Sequence, residues 1–228
     1  MNILQDIKMK RIIKNKKGEI IFEGDDLRNA DLHDANCKSA NFQEADCRHA
    51  NFQKANCSYA NFQKADCRYA DFQKANCSYA NFKEANCSYA NFQNVAFPFA
   101  DFQKTDCRHA NFKNSNCFGA FFGKADLQDA NFKKARCRYA DFEKADLHGV
   151  NFHKTDLLHA NLKDIITDTP ILQINGSRDQ VIKWKNQIQI GYVIEQKNWW
   201  LENYNETMQE HNYTLEQIKE YYKYITGY

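Results

Sequence analysis

Residues 40–79 read ANFQE ADCRH ANFQK ANCSY ANFQK ADCRY ADFQK ANCSY. The segment repeats every five residues, and the period runs far beyond it. With the third residue of each group taken as its centre, i, centres recur in steps of five from Phe22 to Leu162, giving 29 groups without an insertion. The centre is always Phe, Leu or Cys, position i−2 is nearly always Ala, and i−1 is nearly always Asn or Asp. Positions i+1 and i+2 are mostly polar. Only i and i−2 are consistently apolar, so these two point inward, at spacings that alternate two and three. Neither a 3.6-residue helix nor a period-2 strand produces that pattern. A coil of short sides with a corner in each group does. Asn or Asp at i−1 suits such corners, because its side chain bonds backbone groups two residues on.

A second period sets the number of sides. From residue 32 to 92 the centres alternate Phe or Leu with Cys. Four groups per coil stack Phe on Phe and Cys on Cys, whereas three would stack Phe on Cys. Uniform columns keep each layer the same shape, as close packing requires.

These residues resemble the pentapeptide-repeat family. The resemblance covers 145 of 228 residues and implies an all-β solenoid, a right-handed quadrilateral β-helix of about seven coils. At about 4.8 Å per coil the rod is roughly 35 Å long. Three regions are expected: an N-terminal capping hairpin over 1–19, the β-helix over 20–164, and a C-terminal α+β module over 165–228. The hairpin pairs Arg11–Lys14 with Glu19–Phe22. In the tail, strands are expected at Ile171–Ile174, Val181–Trp184 and Ile188–Ile194. Two helices follow. The first, Trp199–Glu210, carries Trp200, Tyr204 and Met208 on one face. The second opens on the capping box Thr214–Gln217 and carries Leu215, Ile218, Tyr222 and Ile225. The tail and the KGEIIFEGD lead-in are similar to segments flanking such repeats in bacterial and phage proteins of unassigned function.

All nine cysteines are centres, none within nine residues of another. Stacked side chains about 4.8 Å apart and parallel do not meet disulfide geometry, so the cysteines read as small buried hydrophobes. The i+2 positions of Cys groups are rich in rings. Tyr59, Tyr79, Phe99, Gly119 and Tyr139 form one column, and His49, Tyr69, Tyr89 and His109 another. Two readings stand: rings that staple coil to coil, and a strip that binds a partner or a sugar. Glutamines at i+1 (Gln43, Gln63 and Gln103 in one column, Gln53, Gln73 and Gln93 in another) are expected to form amide ladders. The pattern breaks at Val95–Phe99, Phe118 and Phe121. With Tyr139, Trp199 and Trp200, the residues Phe99, Phe118 and Phe121 make up the candidate interaction surface.

Net charge is +2 and mean hydropathy −0.77. Residues 1–19 carry +4, 20–164 balance to zero, and the tail carries −2; the one charge cluster, Lys8, Lys10, Arg11, Lys14, Lys16 and Lys17, reads first as a solvated terminal hairpin and second as a nucleic-acid contact. That balance shows no basic stripe for phosphate and argues against direct nucleic-acid binding. There is no apolar leader or membrane segment, so a cytoplasmic protein without a membrane partner is expected. No catalytic pair, phosphate loop or cofactor motif is present. His148, His153 and His159 occupy different outward positions and do not read as a metal site. Ser177, Arg178 and Asp179 read as a turn.

A non-enzymatic structural or interaction protein is therefore expected, with itself as one partner (a homodimer) and an unknown protein as another. One alternative comes from the resemblance, since Qnr-type quinolone-protection proteins mimic DNA and bind gyrase. Against it, this repeat is neutral and uninterrupted. The other alternative is a ligand-binding or enzymatic tail.

Overall fold

A computed structural model of the chain describes residues 11–15, 20–24, 26–167, 172–175, 180–184, 187–190 and 193–226. From Asp26 onward each i−1 residue forms a parallel bridge with the i−1 residue twenty positions later, from Asp26↔Asp46 through to Asp146↔Ile166. Four pentapeptides therefore make one coil, and the coiled path runs one side past Leu162. The four faces are named here by their centres, in chain order: Phe42, Cys47, Phe52 and Cys57.

The repeat satisfies every backbone donor of a group. In the group around Phe62, Asn61 N–H donates to Ala40 O (2.9 Å) and Phe62 N–H to Asn81 O (2.6 Å). Lys64 N–H donates to Lys83 O (3.0 Å), and Ala65 N–H closes the turn on Phe62 O (2.9 Å). Gln63 N–H, the fifth, donates to Asn61 Oδ1 at 3.1 Å. This last bond is why i−1 is Asn or Asp. The turn puts i+2 at φ of about +55 to +62°, at non-glycine residues such as Lys54, Tyr59 and Lys74. Such a conformation is costly for a side-chain residue and persists only where its surroundings fix it.

Inside, Ala fills the space beside the centres. Phe42 stacks on Phe62 (4.6 Å, 11°) and meets Phe52 edge-on (5.5 Å, 86°). The pattern continues to Phe142 and Phe152, so two stacked columns meet as T-shaped pairs throughout the core. All nine cysteines are free and buried. Phe97, the one ring in a Cys column, sits edge-on to Phe92 (5.1 Å) and Phe102 (5.0 Å).

At the N-terminal end β1 (Arg11–Asn15) and β2 (Ile20–Gly24) form the expected antiparallel hairpin. β1 also pairs antiparallel with β3 (Ala35–Asn36), so the hairpin lies along the open edge of the first coil. The tail is a four-stranded antiparallel meander: β4 (Leu172–Asn175), β5 (Gln180–Trp184), β6 (Gln187–Ile190) and β7 (Val193–Gln196). Helices α1 (Lys197–Glu210) and α2 (Leu215–Thr226) follow. The single strand expected over Ile188–Ile194 is two strands paired Ile190↔Val193; Gly191 and Tyr192 between them lie outside the described residues, as do Ser177–Asp179, Lys8, Lys10, Lys16 and Lys17. β5 has two apolar sides. Ile182 belongs to the rod's core, while Val181 packs with Ile188, Ile190, Trp200, Tyr204 and Met208.

The capping box forms as read: Thr214 N–H donates to Gln217 Oε1 (3.0 Å) and Gln217 N–H to Thr214 Oγ1 (3.3 Å). The buried face of α2 is Ile218, Tyr221 and Ile225, whereas Leu215 and Tyr222 are exposed. Tyr221 and Tyr222 both continue the helical spacing from Ile218, and Tyr221 is chosen by its edge-on partner Tyr213 (5.4 Å).

Candidate interaction face

The outward rings stack. Tyr59 lies on Tyr79 (5.0 Å, 3°) and Tyr79 on Phe99 (5.3 Å, 21°). Gly119 offers no ring at the next position, and Phe99 occupies the space: a Cβ on Gly119 would fall 2.7 Å from the Phe99 ring. Phe118 supplies the missing aromatic from i+1, edge-on to Phe99 (5.6 Å) and to Tyr139 (5.4 Å), and Tyr139 stacks on His159 (5.0 Å). The second column runs from His49 through Tyr69 and Tyr89 to His109 at 4.6–5.0 Å.

Three groups lack Asn or Asp at i−1 between Asp26 and Asn161: Ala96, Phe121 and Arg136. Their i+1 residues lose the side-chain acceptor. At Ala96 nothing is lost, because i+1 is Pro98, which has no N–H to satisfy. Ala96 and Arg136 both lie on the Cys57 face. There Pro98, Asn116, Phe118, Arg136, Arg138 and Asp156 line an open groove of about 570 Å³. Arg138 donates to Asp156 (2.5 Å), while Arg136 is exposed with no ion pair among the described residues. The groove thus combines an apolar floor with an uncompensated guanidinium.

The Cys47 face is built differently. Arg48 grips Asp46 through Nε (2.8 Å) and a terminal nitrogen (2.6 Å) and reaches toward Asp66 (3.6 Å). Arg28, Arg68 and Arg108 repeat the arrangement with Asp26, Asp66 and Asp106. The guanidinium beside Asp26 holds its carboxyl down to about 2. Asp126 has Gln128 where its arginine belongs, and burial pushes its carboxyl up.

A family model for pentapeptide repeats matches in eight copies, in overlapping windows from residue 22 to 164. The chain belongs to the pentapeptide-repeat family. Among solved structures this pentapeptide-repeat protein is similar to Rfr23 from the cyanobacterium Cyanothece 51142, at 32% identity over 43% of this chain and 60% of that one (TM-score 0.30). It is also similar to a thylakoid-lumen pentapeptide repeat protein of Arabidopsis thaliana, at 19% identity over 45% and 64% (TM-score 0.31). A third is QnrB1, a plasmid-mediated fluoroquinolone resistance protein, at 18% identity over 62% and 81% (TM-score 0.30). The chain spans less than two thirds of the first two. No curated protein matches it.

Of the six candidate surface residues, the fold brings together Phe99, Phe118 and Tyr139. Phe121 is exposed but lies around the corner, on the Phe42 face between Asp101 and Asp141. Of the two tail tryptophans, Trp200 offers no docking surface. Trp199 is half-buried and Trp200 is fully buried, donating Nε1–H to Ile188 O at 2.8 Å. An indole with its polar atom satisfied inside a core is a structural residue. The glutamine ladders also differ from expectation. Gln53 reaches Asp71 (2.8 Å), and the amide chain runs along i−1 instead, as in Asn81 to Asn61 (3.2 Å). Among the described residues no His, Cys, Asp and Glu cluster could hold a metal, and no helix is long and apolar enough to cross a membrane. Sequence reasoning missed Arg136 and the groove; sorting residues by position within the twenty-residue coil would have set Ala96, Pro98, Phe118 and Arg136 side by side.

Proposed function

We propose that this pentapeptide-repeat protein is a non-enzymatic scaffold that binds a protein partner through the Cys57 face of its later coils. The observation that carries the reading is the groove, where the repeat's rule of Asn or Asp at i−1 and a polar residue at i+1 fails on one face in successive coils, at Ala96 and Arg136 and at Pro98 and Phe118. Exposed rings beside a free guanidinium are the usual composition of an energetic centre in a protein interface. The tail acts as the rod's C-terminal cap, a role that Ile182 supports by extending the core. It also offers Leu201, Leu215 and Tyr222, all exposed, for a two-fold homodimer. Nine free thiols fit a reducing, cytoplasmic setting.

Affinity capture from the native host, with wild type beside F118S/R136D and a K64E control on the Phe42 face, tests the reading. A protein retained by wild type and K64E and lost by F118S/R136D is expected. Identical captures from all three, or inhibition of gyrase supercoiling by wild type and double variant alike, would replace it.

A further inference from the structure

The neutral sum of the repeat conceals a separation of charge by face. On the Phe52 face, every outward position from Asn91 to Lys154 is Asn, Gln, Lys or His, with no acid among them. Lys113 and Lys133 occupy i+1 in adjacent coils, and Lys134 and Lys154 occupy i+2 in adjacent coils. Neighbouring coils lie about 4.8 Å apart, so these lysines stand in like-charged rows. None of the four has an ion pair among the described residues.

The chain relieves such stacking elsewhere. On the Phe42 face Glu44, Lys64, Glu84 and Lys104 alternate in sign; where Lys104, Lys124 and Lys144 then stand in one row, Asp101, Asp141 and Glu143 share the face and Glu143 pairs with Lys144 at 3.0 Å, and on the Cys47 face each arginine grips an aspartate. Like charges at that spacing repel each other even in water. The Phe52 face leaves that repulsion standing through its last coils, over a floor where Asn131 Nδ2 donates to Asn111 Oδ1 (3.4 Å) and Asn111 Nδ2 to Asn91 Oδ1 (3.3 Å). The floor is neutral and hydrogen-bonding, and the face exposes no aliphatic group or hydrocarbon ring to receive the side chains of a peptide, its one ring being the polar imidazole of His153.

We propose that this face binds the phosphodiester backbone of a nucleic-acid strand, without reading its sequence. A straight row of ammonium groups over amides meets a linear row of phosphates and gives no handle to bases. The site is separate from the Cys57-face groove, so F118S/R136D leaves it intact and the two proposals fail independently.

Fluorescence anisotropy of the full chain with labelled oligo-dT and with a labelled duplex, each about 20 units long and in salt from about 50 to 200 mM, is the test. Micromolar binding is expected, with a log–log salt slope of about −3 on the single strand if four phosphates are contacted. K133E/K134E weakens it tenfold or more, K133R/K134R retains it, and K64E/K104E on the opposite face has little effect. Tighter binding of the single strand or of the duplex identifies the source of the backbone. No binding at low salt overturns the proposal. So does binding that K133E/K134E leaves unchanged, as contact through the terminal lysines alone would. Equally tight, Lys133-dependent binding of polyglutamate assigns the face to an acidic protein instead.

Discussion

The ring of Phe118 meets the ring of Tyr139 at 5.4 Å, one coil on, although the two side chains leave different positions of their pentapeptides. Phe118 and Gly119 have in effect exchanged roles, and the aromatic column continues across the exchange. Gly119 is therefore not required for its φ of +60°, a conformation that Tyr59, Tyr79 and Tyr139 adopt in the same column. It is required by Phe99. G119A should destabilise by about 2 kcal/mol: about 1 kcal/mol is the left-handed φ of an alanine and remains in an F99A background, while the rest, the clash with the Phe99 ring, is lost there, a coupling measurable by a double-mutant cycle in urea. An equal cost in both backgrounds refutes the account.

Asn116 Oδ1 accepts from Phe118 N–H at 3.3 Å, whereas Ala96 faces a proline nitrogen with nothing to donate. N116A should cost about 1 kcal/mol, the usual net value of a hydrogen bond. A96N should be neutral within about 0.5 kcal/mol. Matching losses at the two sites in chemical denaturation would show that the i−1 side chain acts by some other means.

Acid should unfold the rod through its aspartates. Asp26 and Asp46 are held below the ordinary range by Arg28 and Arg48. For Asp106, burial opposes the shift and the Arg108 hydrogen bonds outweigh it. A folded-state value below the unfolded one gives stability that is present above the unfolded value, near 4, and is lost as pH falls toward about 2. Asp126 has the opposite sign, since its charged form is disfavoured in the fold. D126N should raise the melting midpoint at pH 7 by about 2 °C and lose that advantage below about pH 3. A variant that melts lower at pH 7 contradicts this.

The thiols should be inert in the native protein. Burial pushes Cys57, Cys87 and Cys137 well above the ordinary thiol range, and the thiolate is the reactive form. Thiol titration of native protein should find few groups, and denatured protein should yield all nine. Intramolecular disulfides in a non-reducing peptide map would contradict the packing.

A chain ending at Asp164 loses the contact that Ile182 makes with the rod's core. Burying one such side chain contributes about 1.5–3 kcal/mol, so the shortened chain should melt roughly 5 °C lower or aggregate. Sedimentation of both chains also tests the dimer: the full chain should sediment as a dimer at high concentration and the shortened one as a monomer. Equal stability and solubility would remove the cap.

The rod was legible because its information is local and repeated: each pentapeptide carries its own turn, its own acceptor at i−1 and its own core residues. The tail was less so, because its contacts are not local. Tyr221 and Tyr222 both continue the spacing from Ile218, and their places depend on rings outside the helix: Tyr213 meets the buried Tyr221, and Tyr204 meets Tyr222, which stays exposed. Trp200 stands among the candidate surface residues although it shares a helix face with Tyr204 and Met208, and it is that face the tail core buries. The lysine rows were in the sequence throughout, but summing charge along the chain mixed four faces that never mix in space.

The bridges that join each residue to the one twenty positions later give this protein a grammar for change in length. An insertion or deletion of five residues turns everything after it by a quarter, moving Phe centres onto Cys columns and lysine rows onto the groove. A change of twenty residues leaves every face in place and only alters the reach of the rod. Length can therefore drift in whole coils while the identity of each side is inherited intact, so a relative that differs by a complete coil should present the same surfaces at a different spacing.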